Sequence, residues 1–221
     1  MPPRRLPAAK KKKRRVIRLD NDERRAQLLA LGRDAFMKQP YDDVSIDDLA
    51  RKAKLSKGIF YYYFPTKRDL YTAGLRDTAH QLMVKLKQVP RDLPPRARTT
   101  AAVDLYLDHV QQHGQAFVAL MRGGIGNDPE VVKVVEAVRR GILEEFLSGA
   151  PVSQFLRARP LSAIAIRGWI GLVESASIEW LSAQTVPREP VRELLVDMLF
   201  DMLMRVLDPK DAERYRQPVA G

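Results

Sequence analysis

The segment Leu55–Lys67 concentrates residue types that can contact a nucleic-acid backbone and base edges. Ser56 and Lys57 bring a hydroxyl and a cation, Gly58 follows, and three consecutive tyrosines come before Lys67. Tyrosine hydroxyls donate to phosphate oxygens while their rings pack on sugars or thymine methyl groups. A hydroxyl and a cation at the start of a helix suit a phosphate, because that end of a helix is positive. This composition predicts a DNA-contacting surface.

Helical periodicity indicates which of these side chains face outward. Phe60 and Phe64 are four residues apart and share one helical face, so we expect both to pack in a core. Tyr61 and Tyr62 then lie about 100° and 200° around the helix and point away from it. By periodicity alone, a helical hairpin whose aromatic side chains simply pack remains an equal alternative to DNA binding.

The elements that position this segment are predicted to be short helices joined by a tight turn. Ser45 and Ser56 are suited to cap two of them, and Asp48 stands three residues after Ser45, as in a capping box. Two short helices in this arrangement are typical of a helix-turn-helix. The predicted helices are Asp22–Lys38, Ile46–Ala53, Lys57–Phe64 and one from Lys67 to about Gln88.

The rest of the chain also has helical periodicity, and strand-like alternation is scarce. Leu93-Pro94-Pro95 is expected to be a loop, and Asp128 to cap the helix that starts at Pro129. We therefore predict an all-α fold: a three-helix helix-turn-helix domain (20–66) and a helical effector-binding and dimerisation domain (67–221). The further predicted helices lie near Arg98–His113, Gln115–Arg122, Pro129–Leu147, Leu161–Gln184 and Arg188–Leu207.

The residues Leu55–Leu70 resemble the DNA-binding signature of the TetR family of bacterial regulators, and Val44–Ala50 also fits that family. The resemblance covers roughly Arg24–Leu70. It implies a three-helix domain whose third helix enters the major groove. Ile59 stands where the family often has a polar residue, which suggests an apolar contact with thymine. The DNA contacts that the resemblance implies are Ser45, Ser56, Lys57, Gly58, Ile59, Tyr61, Tyr62 and Lys67.

Almost all of the net charge of +11 lies at the N-terminus. Residues 1–18 contain nine Lys or Arg and no acid, and we expect residues 1–19 to be a disordered tail. A polyanion is its natural partner, through sequence-independent release of counterions. The tail could lie along the minor groove or the backbone beside the recognition helix, or it could be merely solubilising. A sequence-tolerant nucleic-acid-packaging protein is the alternative function.

The helices after Tyr71 show no catalytic or cofactor motif, so we expect no enzyme, no cofactor and no metal site. His109 and His113 are four residues apart and could face a metal, although an ordinary pair of histidines is the simpler interpretation. An apolar pocket here would suit a lipophilic or acyl-type effector. The candidate effector-binding residues are Tyr106, His109, Phe117, Met121, Arg122, Trp169 and Glu174. For each of them, an ordinary role in the core or in an ion pair is the alternative.

The last two predicted helices, at about 161–184 and 188–207, combine small residues with a broad apolar stripe. The resemblance implies that they form a four-helix homodimer interface, with a monomeric bundle as the alternative. The favoured function is a dimeric repressor that leaves a palindromic DNA operator when a small effector binds, and an activator remains open. The chain has no cysteine and no run of 18 apolar residues, so we expect a cytoplasmic protein without a membrane span.

Overall fold

The computed structural model describes residues 21–122, 124–148, 156–183, 185–208 and 210. These residues form helices and connecting loops without any strand, which confirms the all-α fold class. The basic tail predicted for residues 1–19 lies outside the described residues. The helices are α1 (Asn21–Lys38), α2 (Ile46–Ala53), α3 (Lys57–Tyr63), α4 (Lys67–Lys87), α5 (Pro95–Gln112), α6 (Gly114–Arg122), α7 (Pro129–Ser148), α8 (Pro160–Ala183) and α9 (Arg188–Val206), with 3-10 turns at Tyr41–Asp43 and Gly124–Asn127.

Side-chain caps define the starts of the short helices. The Ser45 hydroxyl accepts a hydrogen bond from the Asp48 backbone N–H at 3.4 Å, and the Ser56 hydroxyl accepts one from Ile59 at 3.3 Å. Both predicted caps are confirmed. The sequence did not reveal the full capping box at α4, in which Thr66 and Asp69 satisfy each other's backbone N–H groups.

One predicted boundary was wrong. Leu93-Pro94-Pro95 was expected to be entirely loop, but Pro95 is the first residue of α5. Proline is well tolerated at that position, because the first backbone N–H of a helix has no intrahelical partner and the proline ring presets the helical φ angle. The Asp128 cap was correct, since its carboxylate accepts from the Glu130 N–H at 2.9 Å.

Two apolar cores organise the chain, and α4 contributes to the first while it packs against α5 and α7. The first core lies among α1 to α4, and the second is formed mainly by α5, α8 and α9. Val131, in the first turn of α7, is fully buried in the first core, so the two parts of the chain are packed together. The first core includes Leu28, Phe36, Leu49, Phe60, Phe64 and Leu70, and the second includes Leu107, Ile166, Trp169, Leu195, Leu199 and Leu203.

Helix α8 is long and apolar enough to cross a membrane by length and composition alone. Its contacts are those of a bundle helix. The Trp169 indole N–H donates to the Leu195 carbonyl of α9 at 2.7 Å. Arg167 and Glu174 form ion pairs with α7 at 2.7 and 2.6 Å. The length of α8 therefore does not indicate membrane insertion.

Candidate nucleic-acid interface and effector cavity

Helix α3 is anchored by one face and exposes the other. Phe60 is fully buried and Phe64 is 2% exposed, whereas Tyr61 and Tyr62 are 38% and 73% exposed. The periodicity predicted this division correctly. Ile59 also projects outward, with 41% of its surface exposed. We call the exposed side chains of Ser56, Lys57, Ile59, Tyr61 and Tyr62 the reading surface.

The cation of the reading surface is paired within the chain. Lys57 Nζ lies 2.8 Å from a carboxylate oxygen of Asp47 in α2, and 5.9 Å from the centre of the Tyr61 ring. The hydrogen bond and the charge of Asp47 raise the pKa of Lys57. Gly58 is not required by packing, because a Cβ atom there would meet only the Ser56 hydroxyl, at 4.0 Å.

Lys67 lies at the first position of α4, and its ammonium points back towards the preceding turn. Its Nζ donates to the Asp42 carbonyl at 3.0 Å and lies 4.5 Å from the centre of the Tyr41 ring. The amine therefore holds α4 to the 3-10 turn, a role that the sequence did not indicate. Ser45 is half-buried, and its hydroxyl oxygen accepts from Asp48, which leaves the hydroxyl proton free for a phosphate oxygen.

The start of α1 is attached to the end of α3. The Tyr63 hydroxyl donates to the Asn21 side-chain oxygen at 2.8 Å, across 42 positions of sequence. The first described residue of the chain therefore lies beside the reading surface. Sequence periodicity contained no signal for this contact.

The C-terminal helices line an apolar cavity of about 110 Å³. Its walls come from α4 to α8. Several waters would fit, and the walls offer few polar partners. The side chain of Arg122, the seventh candidate effector-binding residue, lies outside the described part of the structure. The other six candidates all line this cavity: Tyr106, His109, Phe117, Met121, Trp169 and Glu174.

Glu174, a charged side chain in the cavity wall, is already part of an ion pair. Arg139 of α7 donates from Nε and Nη2 to the two carboxylate oxygens of Glu174, at 2.8 and 2.6 Å. Glu174 was predicted from the sequence as a candidate, whereas Arg139, which is 35 positions away, was not. The Tyr106 hydroxyl is buried without a hydrogen-bond partner among the described residues, and burial raises its pKa. The cavity wall thus includes a neutral tyrosine and an acid whose charge is balanced by Arg139.

The two histidines form a neutral polar patch. Their ring centres are 4.5 Å apart, and His113 Nδ1 lies 3.0 Å from the sulfur of Met37. Burial lowers the pKa of His109 to about 4, with smaller contributions from His113 and Lys85. Within the described residues, no group of three or more histidine or acidic side chains is arranged around a common metal position.

Two smaller cavities share walls with the central one. A cavity of about 70 Å³ has Leu86, Ala102 and Phe146 in common with it and extends to Leu93 and Leu156. Another, of about 80 Å³, lies on the opposite side. It shares Leu75, His109 and Phe117 with the central cavity and reaches Phe36 and Tyr71 of the first core. Together they form a row that runs along α4.

Among the described residues, the outward sides of α8 and α9 expose apolar side chains. Leu161 and Ile164 of α8 are 56% and 67% exposed, and Leu194 of α9 is 56% exposed. Gly168 and Gly171 lie on the same side of α8, where an added Cβ atom would meet nothing within 4 Å. We call these residues, together with Met198, the α8–α9 face.

Comparison with known proteins identifies the family. Residues 28–73 match the profile of bacterial regulatory proteins of the tetR family, and residues 95–202 match the tetracyclin repressor-like C-terminal domain. The crystal structure of a tetR-family transcriptional regulator from Streptomyces coelicolor is 32% identical to this chain, with a TM-score of 0.76. The similarity covers 90% of this chain and 89% of the Streptomyces protein. The chain belongs to the TetR family.

TetR-family proteins are transcriptional regulators that bind DNA through a helix-turn-helix, and the resemblance in Leu55–Leu70 is thereby confirmed. The HTH-type transcriptional activator FasR of Mycolicibacterium smegmatis is 26% identical over 170 residues, which are 76% of this chain and 77% of FasR. The HTH-type transcriptional regulator EthR of Mycobacterium tuberculosis is 27% identical over 126 residues, 56% of each protein. The eight residues predicted to contact DNA lie within the matched segment 28–73, and their individual contacts stay predictions.

Proposed function

We propose that this chain is a ligand-responsive transcriptional regulator that binds a palindromic operator as a homodimer and is released by a small lipophilic effector. The observation that carries the proposal is the position of α4. This helix begins immediately after the recognition helix, at Lys67, and its middle forms a wall of the apolar cavity through Leu75, Ala79 and Leu82. A ligand in the cavity therefore contacts the same rigid element that supports α3.

The reading surface and the neighbouring Ser45 offer the two classes of contact that sequence-specific binding needs, namely contacts with phosphates and contacts with base edges. Ser45, Ser56 and Lys57 are placed at helix starts, where they can meet phosphates. Ile59 and Tyr61 can reach base edges or thymine methyl groups in the major groove. In this proposal Lys57 exchanges its Asp47 partner for a phosphate oxygen when DNA binds.

The α8–α9 face supports the dimer. A glycine within a helix costs about 1 kcal/mol relative to alanine. Gly168 and Gly171 have open space above them, so packing within the chain does not explain them. The close approach of a second copy does, because helices without side chains at the contact can pack at short distance. Two copies related by a two-fold axis would place two reading surfaces on consecutive half-sites of an operator.

Effector release requires a ligand that binds better to the conformation that does not fit the operator. The contacts between α4 and the start of α7 suit this task. Arg68 forms a two-pronged pair with Asp128, with Nη2 2.7 Å from Oδ1, and Arg76 lies 2.8 Å from Glu130. A ligand that separates α4 from α7 would move the first turn of α4 and the recognition helix with it. Repression follows if the operator overlaps a promoter, whereas FasR is named as an activator.

The basic segment at residues 1–18 favours a second candidate, a sequence-tolerant nucleic-acid-packaging protein. In our main proposal the segment instead adds salt-dependent affinity next to the reading surface, since α1 begins beside Tyr63. Deleting residues 1–18 should then weaken binding and flatten its salt dependence while the preferred sequence stays the same. An unchanged salt dependence would refute this role for the segment.

The test selects bound duplexes from a random pool with the full chain and measures its mass in solution. We expect a palindromic consensus and a dimer. Ile164→Glu should produce a monomer and weaken operator binding by more than about tenfold, because a charge would be buried at the dimer contact. Val132→Glu is the matched control, since Val132 is 43% exposed on α7 and away from the α8–α9 face. Equal binding to all duplexes would favour the packaging protein. A dimeric Ile164→Glu variant would exclude the proposed interface.

A fusion of the operator to a reporter gene then distinguishes repression from activation. We expect reporter expression to rise when the gene for this chain is deleted, as for a repressor. A fall in expression would identify an activator and leave the DNA contacts and the dimer in place.

A further inference from the structure

Two histidines and a methionine meet at the smaller cavity that borders the first core. Met37 of α1, His109 of α5 and His113, which directly follows α5, all line this cavity of about 80 Å³. The Nδ1 atom of His113 lies 3.0 Å from the sulfur of Met37, and the centres of the two imidazole rings are 4.5 Å apart. All three side chains are half-buried. Two imidazoles and one thioether, from two parts of the chain, therefore border one small space.

The contact between His113 and Met37 is weak as a hydrogen bond, because a thioether sulfur is a poor acceptor. Imidazole nitrogen and thioether sulfur are, in contrast, both ligands of soft metal ions. With the nitrogen and sulfur distances of zinc sites, a three- or four-coordinate ion would hold the two ligand atoms about 3.5–3.7 Å apart. The His113 nitrogen and the Met37 sulfur would then have to separate by only about 0.5–0.7 Å.

The walls of this cavity restrict which ion could bind. Its described lining residues include no acidic side chain, and the charge of Arg33 in the wall is balanced by Asp77 at 2.5 Å. Magnesium and calcium ions need oxygen ligands, which are scarce here. A divalent ion would also bring two charges into a site without a carboxylate to compensate them. A thioether with imidazoles favours copper(I), which is soft and carries a single charge.

We propose that Met37, His109 and His113 form a binding site for copper(I), which the soft monovalent ion silver(I) can also occupy. The sequence could pair the two histidines, but Met37 is 76 positions away from His113. Met37 follows Phe36, which belongs to the first core, whereas the histidines belong to the C-terminal part of the chain. A bound ion would therefore join the DNA-binding helices directly to the end of α5.

The first test titrates the full chain with copper(I), supplied as its acetonitrile complex under nitrogen, in competition with a coloured copper(I) chelator. Native mass spectrometry counts the bound ions. We expect one copper(I) or one silver(I) ion per chain, and much weaker binding of zinc(II). Because the chain has no cysteine, thiolates cannot account for the binding. Failure to bind copper(I), or equally tight binding of zinc(II), would overturn the proposal and leave His113 and Met37 as a structural contact.

Met37→Leu tests the sulfur ligand. Leucine conserves the volume of methionine, so the metal-free variant should keep its fold, which circular dichroism would verify. The affinity for copper(I) should fall by at least about tenfold, because even the loss of a group that only supports a metal ligand has an effect of this size. Met83→Leu is the matched control, since Met83 is a half-buried methionine of α4 at a different cavity. An equal affinity in Met37→Leu and in the unmodified chain would contradict the site.

The histidine ligands can be identified by nuclear magnetic resonance, because the chain has only three histidines. Silver(I) is diamagnetic and should shift the ring signals of His109 and His113. The signals of His80, which is exposed on α4, should stay in place. His109→Gln and His113→Gln assign the signals and should each weaken silver(I) binding. A shift confined to His80, or no shift of any ring, would rule out the proposed ligands even if Met37→Leu did not fold.

A role of the ion in regulation rests on the proposed function. Because the ion would join α1 to α5, silver(I) should change the operator affinity of the unmodified chain and leave that of Met37→Leu unchanged. The same operator affinity with and without bound silver(I) would contradict the regulatory role and leave the metal site standing. Binding of one silver(I) ion by a chain without any preferred operator would contradict the proposed function and support the metal site.

Discussion

The reading surface and the effector cavity differ in how far apart in sequence their residues lie. The reading surface lies within Ser56–Tyr62, and the caps and the turn that position it lie within Ser45–Lys67. The cavity is assembled from five helices between Leu75 and Glu174. The first is a property of local helix geometry, and the second is a property of packing between distant helices. The two should therefore respond differently to substitution.

Phe60→Ala should have the largest effect and should affect mainly the N-terminal helices. Phe60 is fully buried, and truncation of a buried phenylalanine costs about 3–5 kcal/mol. Both tryptophans, Trp169 and Trp180, are on α8, so their fluorescence reports the C-terminal helices. In urea, the circular dichroism signal should begin to fall well before the fluorescence changes.

Tyr62→Ala is the control for Phe60→Ala. Tyr62 is 73% exposed, so unfolding should change by less than about 0.5 kcal/mol while operator binding weakens. If both signals changed together in Phe60→Ala, the two cores would unfold as one unit, which would contradict the expectation that they respond separately.

Arg68→Met should produce a smaller effect, at the junction between the two cores. The hydrogen bond from Arg68 lowers the pKa of Asp128 to about 2, so the pair stays intact until the pH falls towards that value. Without Arg68, the N-terminal core should lose support from α7. The gap between the circular dichroism and fluorescence midpoints should widen relative to the unmodified chain.

Arg76→Met offers a matched comparison, because its pair with Glu130 is more exposed than that of Arg68 with Asp128. We expect this variant to keep the midpoints of the unmodified chain. An equal change in both variants would mean that the loss of a positive charge in general, and not the loss of the Arg68 pair, weakens the contact between the two cores.

His109→Gln should have the smallest effect, confined to mild acid. An unfolded histidine takes up a proton near pH 6.5, but His109 in the folded chain does so only at about 4. The free energy of unfolding should therefore decrease as the pH falls from 6.5 towards 4. His109→Gln should lose less stability over that window, measured by urea unfolding followed through tryptophan fluorescence.

His80→Gln is the control for the acid window, since His80 is exposed on α4. It should retain the pH dependence of the unmodified chain. A pH dependence that is identical in His109→Gln and in the unmodified chain would show that His109 is solvated in the folded state.

The difference in sequence separation between the two sites also explains which features the sequence could predict. Phe60 inward and Tyr62 outward follow from helical spacing, and Ser56 is a cap because it precedes a helix by one residue. The pairing of Glu174 with Arg139 depends on how α7 and α8 lie against each other. No periodicity within either helix contains that information.

Six of the seven candidate effector-binding residues line the same interior cavity. For Phe117 and Trp169 the reason is simple, since large apolar side chains face inward wherever a helix packs. That interior placement does not specify a ligand. The Tyr106 hydroxyl has no hydrogen-bond partner among the described residues, and this can be recognised only in the packed structure. The same holds for the orientation of the Lys67 side chain towards Asp42.

The hydrogen bond between Tyr63 and Asn21 has a practical consequence for anyone who handles this protein. A purification tag, fluorescent fusion or crosslinker joined directly to Asn21, in place of residues 1–20, would start at the edge of the recognition helix. A cationic tag there would raise apparent affinity for every duplex, and a bulky domain would obstruct the operator. Affinity measurements should therefore use a protein whose N-terminal label has been removed.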